Sequence, residues 1–226
     1  MSNLGDWSFS HFWQAFIFPD FCQDCQKLGP MLCESCYQLV EFFWQEDLTQ
    51  LFGKNFTQVY FDQVKIMASF KKPLSSLIKS LKYQHHSRAA KFLAQMLFFH
   101  VYIDYQEIDY ISFIPIHQQK KKKRGYNQSQ LIAQELALWA KKPCKNFLVK
   151  NKNTKAQAQI TDKKSRLARL NHNFAIVPAY KNSLLNQRIL LIDDVITTGA
   201  TINSASQILK ENGATKITAL ALASKL

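Results

Sequence analysis

Hydrophobic and polar positions follow two different rhythms along the chain, and the change between them predicts how it is organised. Leu74, Leu77, Ile78 and Leu81 fall on one helical face, so Leu74–Lys82 is expected to be a helix and Arg88–Val101 a second one. Before them, Phe56, Val59, Phe61, Val64 and Ile66 alternate in part, which predicts one or two strands within residues 56–70. A short helix is expected over residues 39–52. At the N-terminus, Trp7, Phe9, Phe12, Trp13, Phe16 and Phe18 are spaced like one helical face that packs on the rest of the protein.

From residue 109 the rhythm becomes strand–helix alternation. Tyr110–Ile116 is a short apolar run, followed by a basic loop at His117–Tyr126. Asn127–Ala140 reads as a helix with Asn127 as N-cap and Gln130 placed for a capping box. Short strands are expected at Phe147–Val149 and Phe174–Val177, with a helix at Asp162–Leu170 between them. Arg188–Ile192 has the continuous apolar character of a buried parallel strand. Thr201–Asn212 is a helix stopped by Gly213, and Ile217–Leu222 is the next strand. This order predicts an α/β fold whose parallel sheet is flanked by helices.

Composition excludes some classes. The 226 residues are 47% hydrophobic and 20% charged, which rules out wholesale disorder. The longest apolar stretches, Trp7–Phe18 and Phe92–Ile103, fall short of the ~20 residues that a bilayer requires. The first lysine is Lys27, so no secretory leader is expected and a cytoplasmic location is. In that reducing compartment, metal binding is the default role for grouped cysteines.

The formal net charge of +13 is unevenly placed. Residues 1–62 carry Lys27 and Lys54 against eight acids, a net −6. Residues 117–170 carry 15 Lys and Arg against Glu135 and Asp162, a net +13. The asymmetry suggests an anionic partner for the basic window and a separate N-terminal module, with divisions at residues 1–55 and 56–226. A solvated basic face is the alternative.

Cys22-x2-Cys25-x7-Cys33-x2-Cys36 forms two CxxC knuckles, with Gly29 and Pro30 between them suited to a turn. Four thiolates presented by two such hairpins suit tetrahedral Zn2+, and four cysteine ligands leave no open position, so the zinc is expected to be structural. Buried thiols or redox pairs are the alternative. Cys144 is assigned no role.

The sharpest motif is Leu190-Leu191-Ile192-Asp193-Asp194-Val195-Ile196-Thr197-Thr198-Gly199-Ala200-Thr201. Two acids stand at the end of a buried strand, where α/β folds bind ligands, and a Thr/Gly loop then enters a helix. Loop amides backed by a helix N-terminus hold a phosphate, and the acids can accept from the vicinal hydroxyls of a ribose. The loop has no lysine and is not a Walker A motif.

Ile192–Thr201 resembles the 5-phosphoribosyl-1-pyrophosphate (PRPP) signature of type I phosphoribosyltransferases. Ile114-Pro115-Ile116-His117, followed by Lys123-Arg124-Gly125-Tyr126-Asn127-Gln128-Ser129, resembles a segment of the ComF family. Leu77–Tyr83 resembles that family's helix end. With the four-cysteine knuckle ahead of them, these motifs stand in the family's order over nearly the whole chain. The resemblance implies a type I phosphoribosyltransferase-like sheet with a small N-terminal zinc knuckle. It also implies a role in natural competence, handling incoming single-stranded DNA alongside other competence proteins. Carried over by position, Asp193 and Asp194 would contact ribose. Val195, Ile196, Thr197, Thr198, Gly199, Ala200 and Thr201 would form the phosphate loop. His117, Lys123, Arg124, Gly125, Tyr126 and Asn127 would line the same pocket. The chain departs from the family at Gln84-His85-His86, where relatives commonly continue with Gly-Asp.

Two functions are expected to compete. In the first, Lys120, Lys121, Lys122, Lys123 and Arg124 grip single-stranded DNA while Tyr126 offers a stacking ring; Trp139 is expected to pack in the core. In the second, an active phosphoribosyltransferase uses PRPP with Mg2+ bridging the pyrophosphate and ribose oxygens, and the acceptor is not legible. A third reading is a regulatory module that binds PRPP or a nucleotide and signals through the knuckle.

Overall fold

In a computed structural model of the chain, residues 21–43, 47–83, 87–150, 173–181 and 183–225 are described. The expected N-terminal aromatic helix, the helix at Asp162–Leu170, and His85 and His86 lie outside these residues. The central sheet has strands β1 (Gln63–Ser69), β2 (Tyr110–Phe113), β5 (Arg188–Ile196) and β6 (Lys216–Ser224). Their order is β1-β6-β5-β2, and every pairing is parallel, as the apolar runs predicted. Strands β3 (Leu148–Lys150) and β4 (Phe174–Ile176) form a separate antiparallel pair.

Helices cover both faces. On one side α3 (Leu74–Tyr83), α4 (Ser87–His100) and α6 (Gln128–Ala140) bury Leu77, Ile78, Leu93, Leu97, Ile132 and Leu136 against the sheet. On the other, α7 (Ala200–Glu211) packs Ile202, Ala205 and Leu209 on Leu191, Ile217 and Ala219. A sheet buried on both faces needs strands that are apolar at consecutive positions, and β6 is buried from Ile217 to Ser224. Asp109 pins the start of the β2–β5 pair: it accepts from the Arg188 amide at 2.8 Å and from Arg188 Nη2 at 3.0 Å. That guanidinium holds the Asp109 carboxyl below the usual carboxylate range.

Two local expectations are corrected. The helix expected over residues 39–52 is confined to α2 (Thr49–Gly53). Ahead of it residues 41–43 and 47–48 lie along the outer edge of β1, with bridges Phe42–Ala68 and Asp47–Lys65 and hydrogen bonds Ser69 N to Glu41 O (2.9 Å) and Leu48 N to Val64 O (3.0 Å). The exposed donors and acceptors of an edge strand outweigh a weak local helix preference. The expected basic loop is a helix, α5 (Gln118–Arg124). His117 Nδ1 caps it by accepting from Gln119 N at 3.2 Å, and Gly125, in the left-handed region at φ 82°, closes it.

Residues 21–38, with the short helix α1 (Glu34–Gln38), pack on helices α3 and α4. Cys22, Met31, Leu32 and Cys36 share one apolar core with α3 and α4. Asp24 accepts from Ser76 Oγ at 2.7 Å, the Tyr37 hydroxyl pairs with His100 Nε2, and Phe42 stacks on the His100 ring with centroids 4.1 Å apart. Among the described residues, no helix is long and apolar enough to cross a membrane.

Candidate functional site

Strand β5 continues beyond its expected end, so Asp193, Asp194, Val195 and Ile196 still lie in the strand and only Thr197, Thr198 and Gly199 form the loop. Asp193 is 9% exposed. Its Oδ1 accepts from Ser129 Oγ at 3.2 Å and from the Asp194 amide at 2.8 Å. Asp194 is less buried and takes the Val195 amide at 2.8 Å. The two acids therefore divide the work: one anchors β5 to the start of α6, and the other stands nearer solvent.

The loop is braced from outside the motif. Asn55 Nδ2 donates to Thr198 O at 3.2 Å. Asn203, in the first turn of α7, accepts from Tyr60 N at 2.9 Å and donates to Gln58 O at 3.0 Å. Gly199, the N-cap of α7, has φ 80° and no side chain to cap with; Thr198 Oγ1 accepts from the Ala200 amide at 3.4 Å, and the other amides of the first turn can face an anion. Thr197, Thr198, Ala200 and Thr201 are exposed around a recess of about 30 Å³ that Asp193 also lines.

A Cβ at Gly199 would sit 3.2 Å from Phe52 Cδ1. Gly199→Ala is therefore expected to destabilise the protein by about 1–2 kcal/mol, because the left-handed backbone and the crowding against Phe52 oppose it together. The check is a lower urea midpoint at unchanged slope, and an unaltered midpoint would contradict this packing.

The second predicted segment divides into structural and exposed parts. Asn127 is buried; its Nδ2 donates to Ile114 O at 2.9 Å and its Oδ1 accepts from Ser129 N at 3.2 Å, so it caps α6 as expected and ties it to the end of β2. Tyr126 is half-buried, and its hydroxyl donates to Leu81 O on α3. Trp139 is 37% exposed, with its ring against Phe98 and Phe99 at 5.7 Å. Lys120, Lys121, Lys122 and Lys123 are exposed along α5, and Arg124 is partly so.

One residue here carried no motif signal. Lys150 closes β3 and is half-buried, with Nζ 5.4 Å from the Phe174 ring centroid. Burial lowers its pKa, Lys120 pushes the same way, and Asp193 opposes them. The β3–β4 pair thus carries a lysine into the electrostatic reach of both the basic helix and the acidic strand end. Sequence spacing could not reveal this, because Lys150 and Asp193 lie on strands far apart along the chain.

The cysteine knuckles converge as their spacing predicted. The sulfurs of Cys22, Cys25, Cys33 and Cys36 all lie within 4.8 Å of one another, and those of Cys25 and Cys33 are 3.6 Å apart. Tetrahedral thiolates around zinc, with bonds of about 2.3 Å, sit about 3.8 Å apart, so the four residues fit a metal ion. Burial pushes the Cys36 thiol up to about 12, and its three partner thiols add to this. At Cys22 burial acts upward too, but amides of Cys33, Cys25 and Asp24 hold the thiol down to about 6. A divalent cation would relieve that conflict by letting all four ionise.

The parallel sheet with its acidic strand end and Thr/Gly loop defines a phosphoribosyltransferase-type chain, and residues 122–226 match the phosphoribosyl transferase domain family. The chain is 32% identical over 169 residues to competence protein F of Haemophilus influenzae, covering 72% of each. It is 28% identical over 156 residues to DNA utilization protein YhgH of Escherichia coli K12, covering 67% of each. The chain belongs to the competence protein F family. Among solved structures, glutamine PRPP amidotransferase from B. subtilis aligns at a TM-score of 0.47 and 18% identity, over 64% of this chain and 30% of that one.

Proposed function

We propose that the protein handles incoming single-stranded DNA during natural transformation, in the cytoplasm and alongside other competence proteins. In this reading the phosphate loop holds PRPP or another phosphorylated ribose. The observation that carries it is the placement of the basic helix: β2 pairs Phe113 with Ile192, one residue before Asp193, so α5, with Lys120–Lys123 exposed, starts a few residues beyond the strand end that adjoins the acidic end of β5. A strand gripped by Lys120–Lys123 and Arg124 would pass beside the recess lined by Asp193–Thr201. Its relatives are named for competence and DNA utilization, which supports the same reading.

Within the site, Asp194 and Asp193 would accept from the ribose hydroxyls, and the amides of Thr197–Thr201 would hold the 5-phosphate. Mg2+, when bound with a diphosphate ligand, would neutralise its charge. The cysteine tetrad would hold a structural zinc that fixes the first knuckle against α3 and α4. An active phosphoribosyltransferase is the second reading, favoured by the glycine N-cap of α7 and the Thr/Gly loop before it.

The test is titration with PRPP and Mg2+, alone and then with a short thymidine oligonucleotide. Both ligands are expected to bind. Replacing Lys120–Lys123 by Ala should weaken oligonucleotide binding and flatten its dependence on salt, the slope of log K against log salt falling by about 0.7 for each phosphate that is no longer neutralised. An unchanged salt slope would remove α5 from the DNA path. PRPP binding without oligonucleotide binding would favour the transferase reading.

A further inference from the structure

A cavity of about 360 Å³ lies at the opposite end of the sheet from the phosphate loop. Its lining includes Gln63 and Lys65 of β1, Lys216 and Thr218 of β6, and Tyr102 and Glu107 from the segment between α4 and β2. Lys216 pairs in register with Arg188, eight residues before Ile196, so the two sites are about 26 Å apart along the strands. The volume falls within the range of small-molecule sites.

The charges in this cavity are not all satisfied. Glu107 is taken by Arg188 Nη1 at 3.1 Å and Lys216 Nζ at 3.6 Å. The Asp104 carboxylate is taken by the Gln106 amide at 3.0 Å. Lys65 is half-buried and pairs with no carboxylate among the described residues. Its Nζ stands 5.9 Å from the centroid of the Tyr102 ring, and Tyr102 is 68% exposed at the mouth. A half-buried cation without an anion, an open aromatic plate and mixed polar edges match one ligand chemistry: a planar base joined to a phosphate.

We propose that this cavity binds a nucleoside phosphate, with the base stacked on Tyr102, the phosphate paired with Lys65, and the base edge meeting Gln63, Thr218 and Lys216. The nucleoside phosphate is either a free nucleotide or one residue of a DNA strand. The strand form rests on the DNA reading above, whereas the free-nucleotide form does not.

The test uses the full zinc-loaded chain carrying Asp193→Asn and Asp194→Asn, which weakens ribose binding beside the phosphate loop, so that a response to changes at Tyr102 and Lys65 reports this cavity. It is titrated with thymidine monophosphate and, separately, with a thymidine tetranucleotide. Tyr102→Ala is expected to weaken binding about tenfold while Tyr102→Phe retains it, because stacking needs the ring and not the hydroxyl. Lys65→Met should weaken binding and lower the tetranucleotide's salt slope by about one. Binding of both ligands with this pattern identifies a free-nucleotide site, and binding of the tetranucleotide alone identifies a strand site. Neither ligand binding, or binding indifferent to Tyr102→Ala and Lys65→Met, overturns the proposal.

Discussion

Replacing Asp193 and Asp194 together by Asn is expected to weaken PRPP binding a hundredfold or more while leaving the fold intact. Each carboxylate removed from a charge-assisted hydrogen bond costs about 1.5–3 kcal/mol, and two such changes exceed the ~2.7 kcal/mol that a hundredfold change represents. Asn is preferred to Ala because of what Asp193 does inside the protein. Its Oδ1 accepts from Ser129 Oγ and the Asp194 amide, and an amide oxygen can keep both bonds. Calorimetry with PRPP and Mg2+ reads the affinity, and thermal melting reads the fold. An affinity close to that of the unmodified protein, with an unchanged melting temperature, would place the ribose site elsewhere.

Removing the metal is expected to have the larger effect on stability. One zinc per chain should be found by elemental analysis, and Cys22→Ser should lower that occupancy. Chelation should lower the melting temperature by roughly 10 °C, because several kcal/mol are lost and each shifts a domain of this size by about 2–4 °C. The effect should extend beyond the knuckle, since Cys22, Met31, Leu32 and Cys36 are buried in the same core as Leu77 and Leu93. Protons compete with the metal for the thiolates, so occupancy should fall as pH falls. A melting curve unchanged by chelation would show that packing alone holds the segment.

The two candidate sites differ in how far local chemistry dictates them. The cysteine tetrad follows from spacing, because a CxxC turn can present both its sulfurs to one point. The phosphate loop likewise follows from Gly199, which takes a left-handed backbone and leads directly into α7. By contrast, the brace around that loop comes from Asn55, Gln58 and Tyr60, over 140 residues earlier, and the floor beneath Gly199 is Phe52. Those residues have no pattern of their own, and only their meeting with α7 and its loop gives them a role. The basic stretch after His117 shows the same limit. Four consecutive lysines repel one another in isolation, yet the His117 cap and the Gly125 stop hold them in helix α5.

From sequence alone came the parallel α/β sheet, the convergent cysteine tetrad and the acidic strand end with its loop, because each depends on residue periodicity or on spacing over about a dozen positions. Tertiary structure alone decided three further features. It laid residues 41–43 and 47–48 along the open edge of β1, joined the knuckle to the core of α3 and α4, and brought Lys150 over Phe174 and Lys65 toward Tyr102. These depend on which distant backbones meet, and that is set by burying the helices' apolar faces on the sheet, a condition no short window of sequence contains.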